Sequence, residues 1–223
     1  MDSPTLFGPP RRKITRIEPQ SRNRSRFSIF LDGEFALGID GELLAERGLK
    51  VGDELSEEDV ADLLRADEQK RVKLQAFRYL ANRDHSEKEL ATKLRRKGYS
   101  KEAVQWVLDF LRRYQLVNDR AFAAVFARER VIQRPMGRLL LAAELRARGI
   151  PGAIIEEVVA EVYARFPEEE LAEKLARKKM PSLAHLPPVK ARKKLADFLQ
   201  RRGFGWEVVR EVLEKFNRRE PEL

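Results

Sequence analysis

Residues 90–111 read LATKLRRKGYSKEAVQWVLDFL, and the chain writes this phrase twice more, as LAAELRARGIPGAIIEEVVAEV at 141–162 and LADFLQRRGFGWEVVREVLEKF at 195–216. Leu90, Leu141 and Leu195 correspond, as do Leu94, Leu145 and Leu199. A glycine follows each second leucine by four residues: Gly98, Gly149 and Gly203. Lys97, Arg148 and Arg202 precede these glycines, and Tyr99, Ile150 and Phe204 follow them. The Leu-x-x-x-Leu segment predicts a helix that stops at the glycine, because the residue past the C-cap adopts positive φ. The next apolar residue then packs back on that helix. Six residues past each glycine a second apolar stripe begins: Val104, Val107, Leu108, Leu111, then Ile155, Val158, Val159, Val162, then Val209, Val212, Leu213, Phe216. Spacing of i, i+3, i+4, i+7 is one helical face.

A further helix is predicted upstream of each pair, over 71–83, 119–132 and 167–179. Ser86 with Glu89 makes a capping box for the first Leu-x-x-x-Leu helix. Asp119 is a candidate N-cap. Pro167 followed by three glutamates suits a helix start, where the macrodipole favours acid. Each repeat is thus a three-helix unit of roughly fifty residues, and such an array is expected to be elongated and curved.

The first seventy residues read differently. In RFSIFLDGEFALGI, Phe27, Ile29 and Leu31 alternate before Asp32-Gly33, and Phe35, Leu37 and Ile39 alternate after it. Asp-Gly between alternating strands predicts a type I′ hairpin. Two strands are marginal alone, so KITRIEP, ended by Pro19, supplies a third. GELLAERGLKVGDEL predicts a short helix closed by Gly48 and a turn at Gly52. Ser56, with Asp59 three residues on, opens a longer helix. The fold class is therefore mainly α: a tandem array of three three-helix repeats behind a small N-terminal β-hairpin or three-strand module. The expected divisions are 1–55 for the β module, 56–118 for the first repeat with its lead-in helix, 119–167 for the second and 168–223 for the third.

The chain has 223 residues, 43% hydrophobic and 36% charged, with a formal net charge of +9. That is too apolar for a disordered chain and too charged for a membrane protein. There is no cysteine, which removes disulfides, thiolate metal sites and cysteine nucleophiles. His85 and His185 lie far apart, and neither is read as having a ligand partner at metal spacing, so no metal is expected. No signal peptide is legible, and the apolar run LLLAA at 139–143 is far short of a membrane span. A cytoplasmic monomer without cofactor or membrane contact is the expectation. No P-loop, nucleophile elbow or H-E-x-x-H occurs, so no enzyme and no catalytic residue is expected.

Charge is uneven along the chain. Residues 1–30 hold seven basic and two acidic side chains, 31–70 hold four and thirteen, and 71–223 hold 34 and 21. A strongly basic repeat region attracts polyanions or an acidic protein face. The bland alternative is a solvated helical surface of mixed charge. Arg22, Arg24 and Arg26 form a basic arm read as an ordinary exposed loop, since no aromatic stacking platform accompanies them.

The segments GYSKEAVQWVLDFL, LVNDRAFAAVFARER and PMGRLLLAAELRARGI, with their D-R-x-F-A and E-L-x-x-x-G-I elements, resemble the RecX family of recombination regulators. The resemblance covers about residues 70–219, and the hairpin module is similar to the N-terminal extension of some members. It implies a tandem array of three-helix modules. It also implies a protein that binds RecA, lodges on the RecA filament on single-stranded DNA, and restrains strand exchange, ATP hydrolysis and the co-protease activity behind the SOS response. KKMPSLAHLPPVKARKK departs from the pattern and reads as a long connector in repeat three.

Candidate contact residues gather on the helix before each glycine: Lys93, Arg95, Arg96 and Lys97, then Arg146 and Arg148, then Lys193, Lys194, Arg201 and Arg202. Lys178, Lys179, Lys190 and Arg192 extend them. A basic group repeated at one place in each module suits a periodic partner such as a nucleoprotein filament. Glu89 and Lys93 form an i,i+4 pair that would tie up one charge. The helix after each glycine would be the reader in a tandem helix-turn-helix transcription factor, the alternative reading. Glu156, Glu157 and Glu161 stand there in repeat two and Glu207, Arg210, Glu211 and Glu214 in repeat three, and carboxylates repel phosphate. Trp106, Phe110, Phe122 and Phe126 read as core; Trp206 is either an exposed contact or a staple.

Overall fold

The computed structural model describes residues 10–21 and 23–217, so Arg22 of the basic arm lies outside the described residues. The chain divides into two compact units: Met1–Ala81 with Lys93–Phe110, and Asn82–Thr92 with Leu111–Leu223.

The first unit opens with β1 (Arg11–Gln20), β2 (Asn23–Leu31), β3 (Glu34–Asp40), α1 (Gly41–Glu46) and β4 (Glu54–Ser56). They form one antiparallel sheet in the order β3-β2-β1-β4. Asp32 and Gly33 both take positive φ, 50° and 88°, as the type I′ turn demands. Ile14, Ile29, Leu31, Leu37 and Ile39 form the core with Leu43, Leu55 and Leu63. The sheet has four strands rather than the expected three, since β4 is three residues long and too short to show alternation. β1 also runs past Pro19, which sits opposite Phe27. β4 covers β1 only at Arg11–Lys13, so Pro19 lies where no second neighbour needs its missing N–H.

Arg24 and Arg26 lie on β2 and not on a loop. Arg26 donates to both Asp67 oxygens at 3.0 and 2.9 Å and to the Gly38 carbonyl at 2.8 Å. Asp67 is 2% exposed, also accepts from the Asp40 amide at 2.9 Å, and forms an ion pair with Arg71 at 2.9 Å. A buried carboxylate survives only with such donors. Asp67 belongs to α2 (Glu57–Asn82), one continuous helix where two were expected. No glycine or proline interrupts 57–82, so nothing ends it early. Its start is a capping box: the Asp59 amide donates to Ser56 Oγ at 3.1 Å, and the Ser56 amide donates back to Asp59 at 2.9 Å.

α3 (Glu87–Arg96) and α4 (Lys101–Arg113) follow, and Val104, Val107, Leu108 and Leu111 are buried as the stripe predicts. In the second unit the second repeat is α5 (Asp119–Gln133), α6 (Arg138–Ala147) and α7 (Gly152–Arg165). Its core joins Phe122, Ala127, Leu141, Leu145, Ile155, Val158 and Val162. The third is α8 (Glu168–Lys179), α9 (Pro188–Arg201) and α10 (Trp206–Asn217), built around Leu195, Leu199, Phe204, Val209, Val212 and Leu213. The expected long connector is mostly ordered helix: a 3-10 turn at Met180–Leu183, then α9 from Pro188. Prolines at a helix start are compatible with it, since the first N–H groups have no intrahelical partner. The N-cap of α5 is Asn118, which accepts from the Ala121 amide at 3.0 Å; Asp119 is the first helical residue, and its carboxylate accepts from the Glu87 amide at 2.9 Å.

The three glycine turns are alike and are Schellman motifs. Gly98, Gly149 and Gly203 take φ of +92°, +81° and +83°. Each glycine amide bonds the carbonyl three residues back, and the following apolar residue bonds Leu94, Leu145 or Leu199. In the second unit two seams reuse these turns. Ser86, the residue before α3, donates its hydroxyl to the Arg148 carbonyl at 2.7 Å. Gly137, the residue before α6, donates its amide to the Arg202 carbonyl at 2.8 Å. Ser86 and Gly137 occupy matching positions in their repeats, four before Leu90 and Leu141. A Cβ at Gly149 would fall into the Lys88 side chain, and one at Gly203 into the Leu140 backbone.

Candidate partner-binding surface

Lys93, Arg95, Arg96, Lys97, Arg146, Arg148, Arg201 and Arg202 stand in and just beyond the last turns of α3, α6 and α9, where the C-terminal carbonyls favour cations, while Lys193 and Lys194 lie mid-helix on α9. In the first unit Arg95, Arg96 and Lys97 are exposed and make no ion pair among the described residues, while Lys93 Nζ lies 5.0 Å from the centre of the Tyr79 ring. In the second unit Arg146, Lys193, Lys194 and Arg201 are exposed and likewise without an ion pair. The half-buried Arg202 lies over Phe198, 5.7 Å from its ring centre.

Arg148 is different. It donates to the Glu144 carbonyl at 2.8 Å, reaches Glu89 at 3.7 Å, and places its guanidinium 4.0 Å over the Phe126 ring. Glu89 is shared further: Arg83 donates to it at 3.0 Å, and His85 Nδ1 stands 3.2 Å away. Burial pushes the Glu89 carboxyl up, but the His85 and Arg83 hydrogen bonds outweigh this and hold it below its ordinary value. So the expected capping box is half made. The Glu89 amide donates to Ser86 Oγ at 3.2 Å, while its carboxylate serves the seam. His85, 2% exposed, does have an acid four residues on, a spacing the sequence reading passed over. Among the described residues no cluster of three His, Asp or Glu could hold a metal.

The third repeat gathers cations that are dispersed in sequence. Lys179, Lys194, Arg201 and His185 line a concavity of about 540 Å³ with Ser182, Asp197 and Phe198. A neighbouring one of about 330 Å³ shares Lys179, Ser182 and Phe198 and adds Lys178 and Arg202. Phe198 was not singled out from sequence, although Lys194, Phe198 and Arg201 follow one another at i, i+4, i+7. Trp106 stacks on Phe110 at 6.0 Å, half-buried; Phe122 is buried and stacks on Phe126. Trp206 is 58% exposed, which decides its two readings in favour of solvent. On α7, Glu157 and Glu161 are exposed and both held by Arg120, at 2.8 and 2.7 Å. No helix of the described residues is long and apolar enough to cross a membrane.

A small antiparallel sheet followed by three tandem three-helix units defines a helical-repeat protein whose repeats share one glycine-turn design. Family models match in the same order: "Regulatory protein RecX N-terminal domain" at 12–56, and the first, second and third three-helix domains of RecX at 73–111, 118–159 and 167–213. The chain belongs to the RecX family of regulatory proteins. It is 31% identical over 205 residues to the regulatory protein RecX of Clostridium tetani, covering 91% of this chain and 94% of that one. It is 32% identical over 202 residues to that of Clostridioides difficile, with 91% and 94% covered. A crystal structure of a regulatory protein RecX superposes with a TM-score of 0.69 at 28% identity, over 91% of this chain and 99% of that one. RecX from Lactobacillus salivarius, at 21% identity over 68% of this chain and 98% of that one, shares the fold with a TM-score of 0.63.

Proposed function

We propose that this chain is a cytoplasmic, non-enzymatic regulator of homologous recombination and the SOS response. It binds RecA and the RecA filament on single-stranded DNA, and it restrains strand exchange, ATP hydrolysis and co-protease activity. One observation supports the reading above the others. Each of the three glycine-turn helices ends in exposed cations that have no ion pair among the described residues, Arg95, Arg96 and Lys97, then Arg146, then Arg201. Cations kept free of carboxylates are suited to a polyanion or an acidic protein face. Weak contacts from several modules on neighbouring filament sites would combine by avidity. Exposed Glu156 on α7 argues against the helix-turn-helix reader, since this carboxylate would meet phosphate.

The test is the ATPase rate of a pre-formed filament at stoichiometric protein. The expected result is inhibition that is lost when Arg95, Arg96, Arg201 and Arg202 are reversed to glutamate in a protein that keeps its circular dichroism. No effect of the unaltered protein on filament ATPase removes this reading.

A further inference from the structure

Two of the three glycine turns are occupied, each by the N-terminus of a helix. The Arg148 carbonyl takes a donor from Ser86, and Gly149 is crossed by Lys88. The Arg202 carbonyl takes the Gly137 amide, the Gly203 carbonyl takes the Leu139 amide at 3.1 Å, and Gly203 is closed by Leu140. In both cases the occupant is the N-terminus of a helix, seated with its N-cap on the carbonyl before the glycine. The third such turn, Lys97–Gly98 at the end of α3, has the same backbone and the same hydrogen bonds. Yet the Lys97 carbonyl accepts no hydrogen bond among the described residues, and a Cβ built on Gly98 meets nothing within 4 Å.

We propose that the Lys97–Gly98 turn is a docking seat for the acid-bearing N-terminus of a helix from a partner protein. Charge complementarity selects the occupant. At the first seam the seated helix carries Glu89 three residues past its Ser86 N-cap, and Glu89 meets Arg148, the residue before the glycine. Lys97 holds Arg148's place in the open turn, and exposed Arg95 and Arg96 flank it. A partner helix with a serine-type N-cap and a carboxylate at the third helical position therefore satisfies the carbonyl and the cations together. A second copy of this chain does not supply that helix. The position matching Ser86 and Gly137 in repeat three is Ala191, whose amide already bonds the Pro187 carbonyl inside a helix that starts one turn earlier. The seat goes beyond the filament reading above and does not depend on it.

The probe is a synthetic peptide of residues 84–96, DHSEKELATKLRR, stapled between positions 92 and 96 to hold it helical. It is titrated into the full-length ¹⁵N-labelled chain by NMR. Saturating shifts are expected at Lys97, Gly98 and Tyr99. The dissociation constant should rise by about tenfold or more when the peptide carries Glu89→Lys, and likewise when the chain carries Lys97→Glu. Absence of shifts at those amides at millimolar peptide overturns the proposal, as do shifts indifferent to Glu89→Lys. A concentration-dependent doubling of mass in sedimentation, with shifts at the same amides and no peptide, assigns the turn to self-association and overturns it too.

Discussion

The hydroxyl of Ser86 donates to the carbonyl of Arg148 at 2.7 Å across 62 residues of sequence, while the same oxygen accepts the Glu89 amide at 3.2 Å. One buried side chain thus caps a helix and bonds the turn of the next repeat. Replacing Ser86 with alanine removes both bonds and leaves a partly buried carbonyl without its donor. The expected loss is about 2–3 kcal/mol, more than a cap alone costs. Urea unfolding of the variant measures it, and a loss no larger than that of an exposed N-cap would contradict the double role.

Gly98 and Gly203 share a left-handed backbone but not a neighbourhood. Alanine at Gly98 should cost only the backbone term, about 1 kcal/mol. At Gly203 the new methyl also strikes the Leu140 backbone, which adds about 1–3 kcal/mol of overpacking. Thermal unfolding of the pair should rank Gly203→Ala well below Gly98→Ala.

Asp67 is expected to be the most sensitive acid of the first unit. Asp67→Ala strands Arg26, whose guanidinium faces both Asp67 oxygens, and frees the Asp40 amide. Breaking a buried pair typically costs about 3–5 kcal/mol, and a value near the lower end fits an arginine that is partly exposed. Denaturation followed by tryptophan-independent probes of the sheet, such as amide exchange at β2, checks it.

Two carboxylates should pull the acid limb in opposite directions. Glu89 is held below its ordinary pKa in the folded state, so its contribution is present above the unfolded value, 4.5, and is lost as pH falls through the folded one. Asp119 is raised by burial, so ionising it opposes folding, and that penalty disappears on acidification. Glu89→Gln should therefore flatten the fall in stability below about pH 4.5, and Asp119→Asn should be neutral or stabilising at pH 7 while it keeps an acceptor for the Glu87 amide. Denaturation midpoints between acid and neutral pH separate the two.

The repeat architecture was readable because its determinants are local. A Leu-x-x-x-Leu face, a basic residue, a glycine and a second stripe all fall within a few turns, and each landed where the pattern put it. Features set by distant partners were not readable. Arg26 looked like part of a loop because Asp67, the acid that fixes it on β2, lies 41 residues away. Arg148 looked like one more member of a basic stripe because nothing near it announces Glu89 or the Phe126 ring. Glu89 in turn looked committed to capping, and the seam claims its carboxylate. β4 escaped because three residues carry no period, and α5 begins at Asp119 as expected but is capped by Asn118 rather than Asp119, since both are good caps. The cation cluster around Phe198 needed the fold to bring α8 and α9 side by side.

At both seams a helix beginning meets a helix ending, so partial charges of opposite sign face one another, and at the second seam amides against carbonyls do this without a side-chain ion. At the Lys97–Gly98 turn no helix beginning is seated among the described residues, so the negative partial charge of the carbonyls closing α3 is left open. An open helix end of this kind attracts a dipole of opposite sense even before a single lysine or arginine is considered.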